Sequence, residues 1–229
     1  MTRLPLSLAA LFVLLATAPT ALAQRDPVLR PVATPGLVAA AEIGFAQAAQ
    51  DKGFWAAARD AATKEAMVLY ARPQRLADLL KARPAPNSGL TWKPYRVWTS
   101  CDGSIGVTEG GWRKGGGRGQ FITVWQRQKD GRYKWVLDQD EPRSVALEEP
   151  EFIDTAIATC ARGGGNFADE QRRAKVPFRP VLDPLSGASD DGTLAWTTTV
   201  DAAGGHVFTL SLRQGEAMHE VLRATKTAG

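Results

Sequence analysis

The sequence predicts an α+β protein: N-terminal helices, then a curved antiparallel sheet, then a small β-rich C-terminal extension. Three observations carry this. Apolar residues recur at helical spacing between Leu37 and Ala48. From Thr91 to Asp138, β-branched and aromatic segments alternate with Asp-Gly turns. After Gly192 the strand-like pattern returns.

The first helix starts at Thr34-Pro35, a hydroxyl residue in the capping position followed by a proline whose missing N–H costs nothing in a first turn. Leu37, Ala41, Phe45 and Ala48 follow on one stripe, and Gly53 supplies the stop. A short second helix is expected over Phe54 to Ala62, and a strand over Ala66 to Tyr70. A third helix begins near Pro73, carries Leu76, Leu79 and Leu80, and ends before the Arg83-Pro84-Ala85-Pro86-Asn87 breaker. The period then changes to two. Thr91 to Cys101, Ser104 to Glu109, Arg118 to Gln128 and Arg132 to Asp138 read as strands, with Asp102-Gly103 and Asp130-Gly131 as tight turns between neighbours.

Beyond Glu141 the pattern is irregular. Phe152 to Cys160 is open to a helix or a strand, and the β-branched Ile153, Thr155, Ile157 and Thr159 favour an extended segment. Gly163-Gly164-Gly165 and the polar stretch to Gly192 read as loop. Gly192 to Val200, His206 to Arg213 and Ala217 to Ala224 make a three-stranded meander, too small to be stable alone and so expected to pack on the preceding domain.

Composition and the first residues bound the setting. Arg3, the apolar run Leu4 to Ala18 and the small-x-small triplet Ala21-Leu22-Ala23 read as a cleavable export signal over residues 1–23, and the apolar run is shorter than the roughly 20 residues that span a bilayer. A periplasmic or secreted protein is therefore expected, cleaved after Ala23 and without stable membrane insertion thereafter. Residues 24–36, with Pro27, Pro31 and Pro35, read as a flexible arm. Arg3 is the only charged residue before the cut, so the formal charge falls from +4 to +3. Basic and acidic residues are interleaved, which argues against a nucleic-acid partner. Cys101 and Cys160 are the only cysteines, and in an oxidising compartment a disulfide between them is chemically reasonable.

The chemistry-bearing residues form few patterns. His206 and His219 are far apart and no Cys, His or Asp cluster has metal-ligand spacing, so neither a metal nor another cofactor is expected. The run Arg113-Lys114-Gly115-Gly116-Gly117-Arg118-Gly119 lacks the Lys-Ser/Thr ending of a phosphate-binding loop and reads as an exposed hairpin tip, with contact to an anionic partner as the alternative. There is no G-x-S-x-G elbow for a serine nucleophile.

Four segments carry a family resemblance: Leu90 to Pro94, Ser100 to Gly110, Phe121 to Gln128, and Asp130 to Asp138. Together with Glu42, Phe45, Ala49, Gly53 and Phe54 in the opening helices, they resemble exported bacterial domains of the nuclear transport factor 2-like superfamily, in its SnoaL-like and ketosteroid-isomerase-like branch, over residues 37–139. The resemblance implies a cystatin-like cone, in which helices close one side of a curved sheet that lines a pocket, with residues 140–229 as a loop-rich extension. It also implies that open sheets can pair face to face, which makes a self-associating homodimer a third reading beside a binding protein and an enzyme. Such a fold hosts enzymes, binding proteins and scaffolds alike.

An isomerase of this kind needs a carboxylate base and a donor to a developing enolate. Asp60, Tyr70 and Tyr95 are the candidates, with Glu109 and Asp138 beside them, and Asp60 is closest in position to the family's base. None sits in a recognisable motif. The expected function is therefore non-enzymatic, binding of a small apolar ligand or of a protein partner, with an isomerase or cyclase as the alternative. Trp55, Trp98, Trp112, Trp125 and Trp135 are the pocket candidates, with Trp92 in the same aromatic set; for each the competing role is core packing.

Overall fold

The structure is a computed structural model that describes residues 33–70, 72–82, 86–160 and 185–226. The leader, the arm as far as Val32 and the 163–165 glycine run lie outside these residues.

The chain opens with α1 (Pro35–Lys52) and α2 (Phe54–Ala61), separated by Gly53 alone. Pro35 starts α1 as expected, but the Thr34 side chain makes no capping bond; the Leu37 N–H donates to the Thr34 carbonyl at 2.9 Å instead. Next come β1 (Ala62–Leu69), β2 (Pro73–Arg75) and α3 (Leu76–Lys81). The sequence reading of a helix from Pro73 thus begins three residues early. Pro73 to Arg75 pair antiparallel with β1 at the end of the sheet, a place where a residue without an N–H is tolerated.

The meander comprises β3 (Leu90–Thr99), β4 (Ile105–Lys114), β5 (Gly117–Arg127) and β6 (Tyr133–Pro142). β4 runs beyond the predicted Glu109, and the glycine-rich hairpin tightens to a two-residue turn, Lys114 pairing with Gly117. β7 (Asp154–Ile157) settles the open 152–160 segment as extended. The sheet order is β2-β1-β6-β5-β4-β3-β7, antiparallel in its centre, with parallel pairings of β1 to β6 and of β3 to β7 that the sequence did not announce. The tail has four strands rather than three: β8 (Leu185–Ala188), inside the stretch read as loop, joins β9 (Leu194–Val200), β10 (His206–Gln214) and β11 (Ala217–Lys226) in the order β11-β10-β9-β8.

Strand alternation divides the large sheet into two faces. Met67, Leu137, Val124, Val107 and Trp98 are successive cross-strand partners on one face, and they share a core with Leu185, Leu194, Trp196, Phe208, Leu210 and Leu212 of the tail sheet. The tail is therefore a second sheet layer. The other face carries the row Val68, Asp138, Thr123, Thr108 and Val97, covered by the helices through Val38, Phe45, Ala49, Phe54 and Ala58. Helix α1 approaches closely because position 106 is glycine: a Cβ there would lie 2.6 Å from the Val38 side chain.

Cys101 and Cys160 form a disulfide, with Cα atoms 5.2 Å apart. Nearby, the Cys101 N–H donates to Thr193 Oγ1 and the Asp102 N–H to Asp191 Oδ2, both at 2.9 Å, which ties the β3–β4 turn to the tail sheet. Among the described residues, no helix is long and apolar enough to cross a membrane.

Candidate functional site

On the helix-covered face, α1 lays an acid into the apolar stripe. Val38, Glu42, Phe45 and Ala49, at spacings of four, three and four, are buried together with Ala39, and Glu42 is fully buried. Its carboxylate is surrounded by donors: Trp92 Nε1 donates to Oε1 at 2.6 Å, while Thr108 Oγ1 and Trp125 Nε1 donate to Oε2 at 2.6 and 3.0 Å. Burial pushes the Glu42 carboxyl above its ordinary value, and bonds from Thr108, Trp92 and Trp125 pull the other way.

Thr108 continues the polar row. It is the cross-strand partner of Thr123, which in turn faces Asp138 and donates to its Oδ1 at 3.0 Å. Tyr70, just past β1, lines the same cavity as Asp138. Burial, and then the charge of Glu42, push the Asp138 carboxyl up to about 8, so at neutral pH it is a proton donor. Burial and the neighbouring Asp138 and Asp140 push the Tyr70 phenol well above its usual value, so it too keeps its proton. Asp140, two residues along the same strand face, is likewise raised, by burial, with the charge of Lys226 opposing.

Above this polar floor lies a cavity of about 410 Å³, within the range of small-molecule sites. Its walls are Phe45, Phe54, Trp55, Trp92, Trp112 and Phe121, its inner polar groups are Tyr70, Asp138 and Asp140, and Lys114 and Asn87 lie at the hairpin end. The aromatic wall is built in advance: the Phe45 ring meets Trp92 edge-on at 5.0 Å, and Phe54 meets Trp55 edge-on at 4.9 Å. Position 110 is a close approach of β3 to β4: a Cβ there would meet the Lys93 carbonyl oxygen at 1.9 Å and the Phe121 ring at 2.7 Å.

The residues singled out in the sequence are dispersed. Tyr70, Trp55 and Trp112 line the cavity, as does Trp92. Trp98 faces the tail sheet, and Trp125 and Trp135 are buried in the helix-side core. Asp60 lies outside, exposed at the end of α2 and paired with Lys52, which holds its carboxyl below the ordinary range. Tyr95 borders a separate cleft of about 150 Å³ with Arg96 and Glu109. Glu109 is itself buried, 3.6 Å from the Arg96 guanidinium, and accepts a bond from Gln120. Tyr70 is thus separated from both Asp60 and Tyr95.

Two acids escaped the sequence reading as site residues. Glu42 was visible as an acid inside an apolar helical stripe, and Asp140 as the second member of an Asp-x-Asp pair on a strand with period two. Among the described residues, no group of three His, Cys, Asp or Glu side chains could hold a metal ion.

No protein-family model matches the sequence, and no curated protein matches it. Solved structures similar to this chain are ketosteroid isomerase-like, nuclear transport factor 2-like and cystatin-like. A candidate ketosteroid isomerase from Shewanella frigidimarina shares 19% identity over 46% of this chain and 98% of its own, with a TM-score of 0.36. A nuclear transport factor 2-like protein of unknown function from Burkholderia xenovorans shares 18% over 51% and 89%, at 0.35. A protein of unknown function with a cystatin-like fold from Methylobium petroleophilum shares 10% over 66% and 100%, at 0.37.

Proposed function

We propose that this chain is an exported binding protein whose cavity takes a small, ring-shaped apolar ligand bearing a carbonyl or hydroxyl oxygen. The observation that carries this reading is the pairing of Asp138 and Tyr70, both protonated, at the base of an aromatic-walled cavity of about 410 Å³. Two neutral donors in an apolar site recognise an oxygen acceptor, and reject a ligand that leaves them unpaired. Export draws its support from the leader reading and from the Cys101–Cys160 disulfide.

The test is a matched pair followed by tryptophan fluorescence, 2-acetonaphthone against 2-ethylnaphthalene, which keep the ring and exchange a carbonyl for a methylene. The ketone is expected to bind about tenfold more tightly, as one satisfied buried hydrogen bond allows. The preference should shrink in Tyr70→Phe and fade above pH 8, as Asp138 loses its proton. Equal binding of both probes would remove the role of the donors, and binding of neither would remove the cavity as a ligand site.

A second reading has its own observation. Asp138 and Asp140 share one strand face and one cavity; Asp138 is pushed to about 8, whereas the charge of Lys226 favours the ionised form of Asp140, which assigns Asp140 as base and Asp138 and Tyr70 as donors. Proton transfer next to a carbonyl is the reaction such a set performs, with Asp140 in the place the sequence reading gave to Asp60. Incubating 2-acetonaphthone in D2O tests it: enzyme-dependent exchange of the methyl protons in wild type, abolished in Asp140→Asn, supports catalysis, and exchange at the buffer rate rejects it.

A further inference from the structure

The cavity has two chemically different ends, and the strand register sets them apart. Thr108, Gly110, Trp112 and Lys114 are alternate residues of β4 and therefore share the helix-covered face. Thr108 marks the inner end, one strand pair from Thr123 and two from Asp138. Lys114 lies six residues farther along, about 20 Å of strand at about 3.3 Å per residue, and its side chain lines the same cavity. Trp112 and Phe121 fill the stretch between as apolar wall.

Charge differs between the ends as well. Lys114 is the only cation among the described lining residues. Its ammonium donates to Asn87 Oδ1, a neutral partner, at 2.6 Å, and among the described residues it makes no ion pair. At the inner end, Asp138 and Tyr70 stand as uncharged donors. Asp140 is offset by Lys226, whose ammonium donates to the Tyr70 carbonyl at 2.5 Å. A ligand that fills the length of this cavity meets hydrogen-bond donors at one end, aromatic rings along its body and, at the other, an ammonium with no ion-pair partner among the described residues.

We infer that the ligand is an elongated apolar molecule with an anionic group held by Lys114 at the hairpin end. This rests on the cavity being a ligand site, and its test separates the two. The probes are 8-anilinonaphthalene-1-sulfonate and N-phenyl-1-naphthylamine, which share one ring skeleton and differ by the sulfonate. Fluorescence titration of the full chain at low salt should show the anionic probe binding about fivefold more tightly, the upper range for a solvent-accessible ion pair. The preference should fall to about unity in Lys114→Met, survive in Lys114→Arg, and decline as salt is raised. Because Lys114 is exposed at a turn, the variants keep the fold, and unchanged binding of the neutral probe verifies that directly. A neutral probe that binds beside an anionic one with no preference, or a preference that persists in Lys114→Met, overturns the anionic end and leaves the cavity reading intact. Failure of both probes overturns both.

Discussion

Replacing Asp138 by Asn should reverse the order of stability of the two proteins between acid and alkaline pH. The Asp138 carboxyl is raised from 3.8 to about 8 in the folded chain. The folded state therefore holds this proton more tightly than the unfolded one, so the contribution to stability is complete below pH 3.8 and is lost as pH rises towards 8. Each unit is worth about 1.4 kcal/mol, so the loss across this window is on the order of 6 kcal/mol, a large part of the roughly 5–15 kcal/mol that holds a domain folded. Asn carries no proton to lose. Its oxygen can still accept from Thr123 and its amide can still donate within the cavity, and without a charge at 138 the Glu42 carboxyl is relieved as well. Urea unfolding at unit steps from pH 5 to pH 9 is the assay. The wild-type midpoint should fall steadily to pH 8, while that of Asp138→Asn stays nearly flat at an unchanged m-value, making the variant the more stable protein at pH 9. Parallel curves for the two proteins across this range would refute the account of Asp138 as a buried neutral acid.

Two further outcomes follow from packing and from the covalent link. Gly110→Ala places a methyl against the Lys93 carbonyl and the Phe121 ring and should cost about 3 kcal/mol, a fall of roughly 6–12 °C in melting temperature, whereas Gly116→Ala, with nothing within 4 Å, should leave it unchanged. Equal melting temperatures for the two variants would show that the close strand crossing is absent. Removing the disulfide with Cys101→Ala and Cys160→Ala together opens a closure of 59 residues and should lower stability by about 4 kcal/mol, read as a lower urea midpoint; no change, with wild type verified as oxidised, would mean that the bridge does not constrain the unfolded chain.

By itself the sequence determined the local elements and their order. The 3.6-residue stripe of α1, the period-two strands and the Asp-Gly turns are properties of neighbouring residues, and they announced helices followed by a meander. It also supplied both cysteines, Tyr70 and the aromatic set from which the cavity walls are drawn. What the sequence could not decide depends on contacts between distant segments. The parallel joining of β1 to β6 pairs residues about seventy positions apart, Val68 with Asp138, and no local pattern encodes it. A bulge in β6, where Leu137 and Trp135 oppose the neighbours Val124 and Trp125, shifts the alternation of that strand, so counting by twos could not bring Trp135 onto the helix-covered face beside Trp125. Asp60 and Asp138 look alike as letters, but one ends a helix in water beside Lys52 and the other is enclosed between Thr123, Tyr70 and the charge of Glu42. Burial and neighbouring charge set what a carboxyl does, and both arise only when α1 closes over the row from Val68 to Val97.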